Sequence, residues 1–233
     1  MKKNLYIIGD VHGCLETLKA LIDTFPEKEN AQIIFTGDLI GKGKYSAQVL
    51  SFIIQHGYQS VKGNHEMMMQ ESYCLSQNIN SKKLTCKKHF WYENGGDTIL
   101  KSYDFPSAGD LMEHLLWITK LPHYIENPLE DSAGKKLFVT HGFGLPYYER
   151  RDKKSIELMT NRISRKVFTD DEKNYRQYPI FNVFGHDPHA DAIITDHYAV
   201  IDTGCVYHKE ATPTLLTALE WPSKRLYQQN YID

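Results

Sequence analysis

Three short apolar runs, Leu5-Tyr6-Ile7-Ile8, Ile33-Ile34-Phe35 and Leu137-Phe138-Val139, each lead straight into a polar island. Short apolar runs closed by glycine or polar residues predict buried strands. After the first two runs the spacing changes: Leu15, Leu18, Leu21 and Ile22 share one helical face, as do Val49, Leu50, Ile53 and Ile54. Strand, polar loop, helix, strand is the βαβ layout, which sets functional loops at the carboxyl ends of strands. From Met67 to about Lys120 the pattern is mainly helical. Met67-Met68-Met69 continue a helix that starts near His65, and Leu111, Leu115, Leu116 and Ile118 mark another, with most apolar residues facing the core. Strand-like runs return over 180–184, 193–194, 198–201 and 214–219. Strands early, helices midway and strands late predict two sheets packed face to face with helices outside.

The 233 residues suffice for one domain with a sizeable core, or at most two small ones. No repeat, low-complexity tract or linker interrupts the chain, so 1–233 is read as one domain with its helical segment at about 67–120. A net charge of −2 argues against a nucleic-acid grip built on a basic field. Cys14, Cys74, Cys86 and Cys205 contain no CxxC pair, so neither a zinc ribbon nor a redox motif is written. The start Met1-Lys2-Lys3 has the charge of a leader, but the apolar run Leu5–Ile8 is too short for one. Nothing approaches the ~20 apolar residues of a membrane span. The expected compartment is a reducing cytosol, without membrane partners.

The islands carry the chemistry. They are Gly9-Asp10-Val11-His12-Gly13, Gly37-Asp38, Gly63-Asn64-His65-Glu66, His141-Gly142 and Gly185-His186. Singly each is unspecific. Together they offer two Asp, an Asn and three His as ligands, with His65 left over, which is the inventory of a two-metal hydrolase. Oxygen and imidazole donors without thiolate suit manganese, iron or zinc better than a structural zinc site. Paired ions are the usual device for in-line attack on phosphate esters.

In this order the islands resemble the calcineurin-like metallophosphoesterases, specifically the bacterial phosphoprotein phosphatases and symmetrical diadenosine tetraphosphate hydrolases. The resemblance runs from Gly9 to about Leu219 and takes in Asn94-Gly95-Gly96 with Thr98, and Ile201-Asp202-Thr203-Gly204-Cys205-Val206-Tyr207. It implies an α/β fold of two mixed β-sheets packed as a sandwich flanked by helices, the four-layer metallophosphoesterase architecture. It further implies that Asp10 and His12 bind a first divalent ion, that Asp38 bridges both, and that Asn64, His141 and His186 complete the second. Manganese is the expected metal, with iron, zinc or nickel as alternatives. A water between the ions would lose its proton and attack phosphorus in line, while His65 would protonate the leaving oxygen. His56, His89, His114, His123 and His197 lie outside the motifs and are read as ordinary surface or core residues.

The chain departs from the family pattern in the second island, Gly37-Asp38-Leu39-Ile40-Gly41-Lys42-Gly43. Gly41 stands where relatives place the carboxylate that pairs with the catalytic histidine. A His–carboxylate pair fixes the tautomer and favours the imidazolium, so His65 should be a less well-held proton donor unless another acid reaches it. Restoring the acid by Gly41→Asp is then expected to speed reactions with poor leaving groups. Lys42 and Lys62 stand where relatives have phosphate-clamping arginines, keeping the charge but not the planar fork. A remaining arginine clamp is expected at Arg162, with Arg165 one turn on as substitute. In Gly185-His186-Asp187-Pro188-His189 the second histidine is one place later than in nuclease-type relatives, which makes His189 at most an outer contact. His208 stands where relatives often have glycine.

The leading expectation is a metal-dependent phosphomonoesterase acting on phosphoserine or phosphothreonine in proteins. A second is symmetrical hydrolysis of dinucleoside tetraphosphates, for which Tyr147-Tyr148 and Arg150-Arg151 could form a substrate wall. A third, from another class, is a non-catalytic regulatory protein on the same scaffold; the complete ligand set argues against it.

Overall fold

The computed structural model describes residues 4–26, 28–73, 88–103, 108–163, 175, 177–207 and 214–233. Its strands are β1 (Leu5–Ile8), β2 (Gln32–Phe35), β3 (Gln59–Ser60), β4 (Tyr124–Glu130), β5 (Lys136–Thr140), β6 (Ile180–Phe184), β7 (Ile193–Ile194), β8 (Tyr198–Val200), β9 (Leu215–Trp221) and β10 (Arg225–Asn230). The principal helices are α1 (Leu15–Asp23), α2 (Ser46–Gln55), α3 (Asn64–Ser72), α4 (Asp97–Lys101), α5 (Ala108–Thr119) and α6 (Ser155–Thr160). One sheet has the order β10-β9-β1-β2-β3 and the other β4-β5-β6-β8-β7. In the first, β1, β2 and β3 are parallel, β9 runs antiparallel to β1, and β10 runs antiparallel to β9; in the second, β5, β6 and β8 are parallel and β4 and β7 antiparallel to their neighbours. Both sheets are therefore mixed, as expected.

Alternation along each central strand sorts the core into layers. Leu5 and Ile7 of β1, Ile34 of β2, Leu137 and Val139 of β5, and Phe181 and Val183 of β6 meet between the sheets. The intervening Tyr6, Ile8, Ile33 and Phe35 face the helices, packing with Leu18, Leu21, Val49, Leu50 and Ile53. Phe138, Phe184 and Tyr198 face outward from the second sheet against Phe143 and Leu158. Central strands buried on both faces read as continuous apolar runs, which is why the sequence exposes them.

The middle of the chain is helical wherever it is described. It also contains a π-turn, Tyr92–Gly96, whose Gly95 has φ 100°. Three strands not expected from the sequence, β3, β4 and β10, lie at sheet edges. No helix among the described residues is long and apolar enough to cross a membrane.

Candidate metal centre

The parallel strands all end at one rim, and every island sits in a loop there. Asp10 and His12 follow β1, Asp38 follows β2, Asn64 opens α3 after β3, His141 follows β5 and His186 follows β6. Two of these loops are laced together: the Val11 and His12 amides donate to the Asp38 carbonyl at 3.1 and 2.9 Å, and the Gly13 amide to Leu39 at 2.9 Å. His12, Asp38 and His186 have φ of 49°, 48° and 66°, so three of the four non-glycine residues with positive φ among those described are expected ligands. Such backbone strain persists only where surrounding contacts over-determine it. Gly185 is required by crowding, since a Cβ there would lie 2.0 Å from Asp10 Oδ1.

Asp38 is the hub. Its carboxylate lies 3.3 Å from Nε2 of His141, 3.6 Å from Nε2 of His12 and 3.9 Å from Nε2 of His65, and it accepts the His65 amide at 3.0 Å. Among the described residues two groups have the compactness to hold an ion, His12–Asp38–His65 and Asp38–His141–His186, sharing Asp38. Asn64 Oδ1 is 2.9 Å from His141 Nε2, joining the second group. Asp10 borders it, accepting the His186 amide at 3.1 Å and the Thr36 hydroxyl at 3.2 Å.

The histidines differ in how their rings are held. His12 Nδ1 donates to the Ile40 carbonyl at 2.9 Å and His141 Nδ1 to the Thr36 carbonyl at 2.8 Å, each presenting Nε2 to Asp38. The His186 ring is hydrogen-bonded to the Thr160 backbone. A ring nitrogen bound to a carbonyl orients the other for a metal. His65 lacks this support: its Nδ1 is buried with no hydrogen-bond partner among the described residues.

Gly41 explains that isolation. It has φ 139°, and a Cβ there would lie 2.7 Å from His12 Nδ1 and 2.8 Å from His65 Nδ1. On its other side Gly95 approaches, with its own Cβ position 3.0 Å from the Gly41 carbonyl oxygen. The close approach brings another glycine, not another acid. The expected rescue by Gly41→Asp is corrected accordingly: an aspartate would have to displace both imidazoles from a backbone conformation that disfavours any side chain.

Three acidic residues that the motif reading left without a role, or with no more than a motif position, complete the surroundings. Glu66, fully buried, accepts backbone N–H bonds from Asp38, Leu39, Ile40 and Gly63 at 2.9–3.2 Å. It ties the Asp38 loop to the first turn of α3. Its position as the third helical residue after Gly63 is a capping signal readable in the sequence. Asp202 is buried close to Asp10 and accepts the Gly204 amide at 3.0 Å. Asp187 pairs with Arg162 at 3.4 Å.

Burial, and then the charges of Asp202 and Asp38, raise the Asp10 pKa well above the usual carboxylate range. Burial raises that of Asp202 to about 6 and, with Asp38, that of Glu66 to about 7. Burial alone would lower the His141 pKa, but Asp38 and Asp10 outweigh it and push it up to about 10. His12 falls to about 3 through burial and the His65 charge. Crowded carboxylates beside imidazoles that present a free nitrogen are a donor set suited to divalent cations. The chain's residues fit such ions.

The expected phosphate contacts separate. Lys42 is exposed at the rim and donates to the Tyr207 hydroxyl. Lys62 is buried and donates to Gln70 Oε1 at 2.9 Å. Arg162 is exposed and held by Asp187. Arg165 and His208 lie outside the described residues. Tyr148 packs edge-on against Phe138, and Arg151 pairs with Glu126 at 2.7 Å while stacking over Tyr148. Tyr148 and Arg151 are thereby occupied in packing on the second sheet, while Arg150 is exposed.

The family model for calcineurin-like phosphoesterases matches residues 3–216. Among curated proteins the chain is similar to an asymmetrical bis(5'-nucleosyl)-tetraphosphatase of Oceanobacillus iheyensis, with 26% identity over 94% of this chain and 88% of that one. It is similar to serine/threonine-protein phosphatase 2 of Salmonella typhimurium, with 30% identity over 60% of this chain and 58% of that one. A symmetrical bis(5'-nucleosyl)-tetraphosphatase of Buchnera aphidicola is 28% identical over 71% of this chain and 54% of its own length. The chain thus spans little more than half of the latter two. Among solved structures, a protein taken to be a diadenosine tetraphosphatase superposes with TM-score 0.68 at 20% identity, covering 100% of this chain and 96% of that one. A serine/threonine phosphatase of Saccharomyces cerevisiae gives 0.60 at 12% identity, covering 99% and 80%. These superpositions establish a shared fold.

Proposed function

Because the chain belongs to the calcineurin-like phosphoesterase family, we propose that it is a two-metal hydrolase of phosphate esters and anhydrides. The observation that carries this reading is the single buried Asp38 carboxylate with Nε2 of His12, His65 and His141 within 3.3–3.9 Å. Asp10 and His12 would hold one ion, Asn64, His141 and His186 the other, and Asp38 would serve both. When bound, two divalent cations neutralise phosphoryl charge and lower the pKa of water to supply a nucleophile; manganese is our first choice. His65 is assigned to the leaving oxygen and not to a metal, supported by its lack of the carbonyl bond that orients His12, His141 and His186.

The same lack favours one substrate class. Nothing among the described residues accepts a proton from His65 Nδ1, so no partner fixes the ring from that side. Burial lowers the His65 pKa, outweighing Asp38, which lies 3.9 Å from Nε2 and favours the imidazolium. General acid help is worth roughly 10²–10⁴-fold in rate, and leaving groups of low pKa need little of it. The favoured substrates are therefore phosphoanhydrides, dinucleoside tetraphosphates foremost, with aryl phosphates as surrogates. Phosphoserine and phosphothreonine proteins are the second reading, supported by the similarity to serine/threonine-protein phosphatase 2. Metal-depleted protein reloaded with Mn²⁺ and assayed on nitrophenyl phosphate and diadenosine tetraphosphate tests the proposal. Turnover that returns with metal supports it, and inactivity on both contradicts it.

A further inference from the structure

We propose that Tyr207 is a substrate-positioning residue. With Lys42 it forms a two-donor clamp for a phosphoryl oxygen at the mouth of the metal pocket. The inference rests on the phosphoesterase reading and adds to it a residue outside the metal-binding islands.

Lys42 directly follows Gly41, which abuts the His12 and His65 rings, and its charge bears on both imidazoles. Its ammonium donates to the Tyr207 hydroxyl and lies 4.1 Å from the centre of that ring. Tyr207 ends the short turn Cys205–Tyr207, and its amide donates to the Gly204 carbonyl at 2.9 Å. Its ring leans on Gly204, where a Cβ would come within 3.3 Å of Cδ2. Asp202, on the same loop, is buried beside Asp10. The phenol is thereby fixed to the backbone that lines the site.

Three other candidate cations are engaged: Arg162 with Asp187, Arg151 with Glu126 and Lys62 with Gln70. Lys42 has no carboxylate partner among the described residues; a neutral hydroxyl holds it. An ammonium has three donors and a phenol can accept one while donating its own hydrogen. Two ammonium hydrogens and one phenolic hydrogen thus remain for an incoming oxygen. A lysine alone is a flexible point charge, whereas an arginine presents a preformed fork. Tyr207 supplies the second prong and restrains the long side chain that carries the first.

The test compares wild-type, Tyr207→Phe, Lys42→Met, the double variant, and Tyr207→Phe with Lys42→Arg, all Mn²⁺-loaded, on nitrophenyl phosphate. Tyr207→Phe is expected to raise KM and the inhibition constant of inorganic phosphate about tenfold, the scale of one hydrogen bond to a charged group. Its kcat should stay within about twofold. Adding Tyr207→Phe to Lys42→Met should raise KM and the phosphate inhibition constant by less than Tyr207→Phe does alone, because the restraint on Lys42 is already lost, and Lys42→Arg should restore phosphate binding to Tyr207→Phe. Unchanged KM and phosphate inhibition in Tyr207→Phe, or a fall in kcat alone, overturns the clamp. If wild-type protein turns over no phosphate substrate, the phosphoesterase reading fails instead, and calorimetric titration of phosphate into the same variants still decides the clamp.

Discussion

Asp38 and Glu66 show how differently two buried carboxylates serve one site. Asp38 faces imidazole nitrogens from three loops, so Asp38→Asn is expected to cut the content of both metals and abolish turnover, as elemental analysis and assay would record. Loss of only one ion would show that Asp38 does not bridge. Glu66 faces backbone amides and shapes the Asp38 loop from beneath. Hydrogen bonds to a charged group are worth ~1.5–3 kcal/mol each, so above the Glu66 pKa of about 7, where the carboxylate is charged, Glu66→Gln is expected to destabilise the fold by about 2 kcal/mol in urea titration and to weaken metal binding with it. Unchanged stability would mean that the amides do not depend on the charge. The convergence of Asp10, His12, Asp38, Asn64, His141 and His186 on one rim was legible because each stands in a short motif with glycine at the end of a strand. Glu66 was quoted within its island without a role, since a residue that acts through backbone amides leaves only a capping pattern. The isolation of His65 could be inferred from Gly41, but the abutting Gly95, more than fifty positions away in the chain, could not.

At the scale of elements, legibility followed burial. β1, β2, β5 and β6 are apolar on both faces and stood out as runs. Edge strands β4 and β10 alternate with exposed polar residues such as Glu126, Glu130, Gln228 and Asn230, and resemble loops. β3 is only Gln59–Ser60 and has no pattern to detect. Edge strands gain less from apolar burial, and polar side chains there deter pairing with other chains. The π-turn at Tyr92–Gly96 belongs to the site through packing: Gly95 backs Gly41, and Gly41 backs His65. Gly95→Ala places a side chain at φ 100° against the Gly41 carbonyl. A left-handed conformation costs a non-glycine residue ~1–2 kcal/mol, so thermal unfolding should shift by that scale. Turnover of poor leaving groups should fall further as His65 is displaced. A normal melting curve with normal kinetics would show that the turn does not press on the site.

The whole molecule is a scaffold that brings the ends of parallel strands from two sheets to one rim. Neither sheet alone holds the proposed ligand set: the first carries Asp10, His12, Asp38 and Asn64, the second His141 and His186. Metal binding is therefore expected to raise the unfolding temperature of the protein as a unit, since ions that bind only the folded state stabilise it by mass action. Chelation should reverse the rise, as calorimetry would show. The most direct test of the account is the dependence of kcat/KM on leaving-group pKa for the Mn²⁺-loaded protein, using a series of aryl and alkyl phosphates together with diadenosine tetraphosphate and a phosphoserine peptide. The account expects rates that fall steeply as the leaving group becomes more basic, with the tetraphosphate well above the peptide and His65→Asn changing only the basic end. A flat dependence, with phosphoserine cleaved as fast as nitrophenyl phosphate or the anhydride, would contradict it.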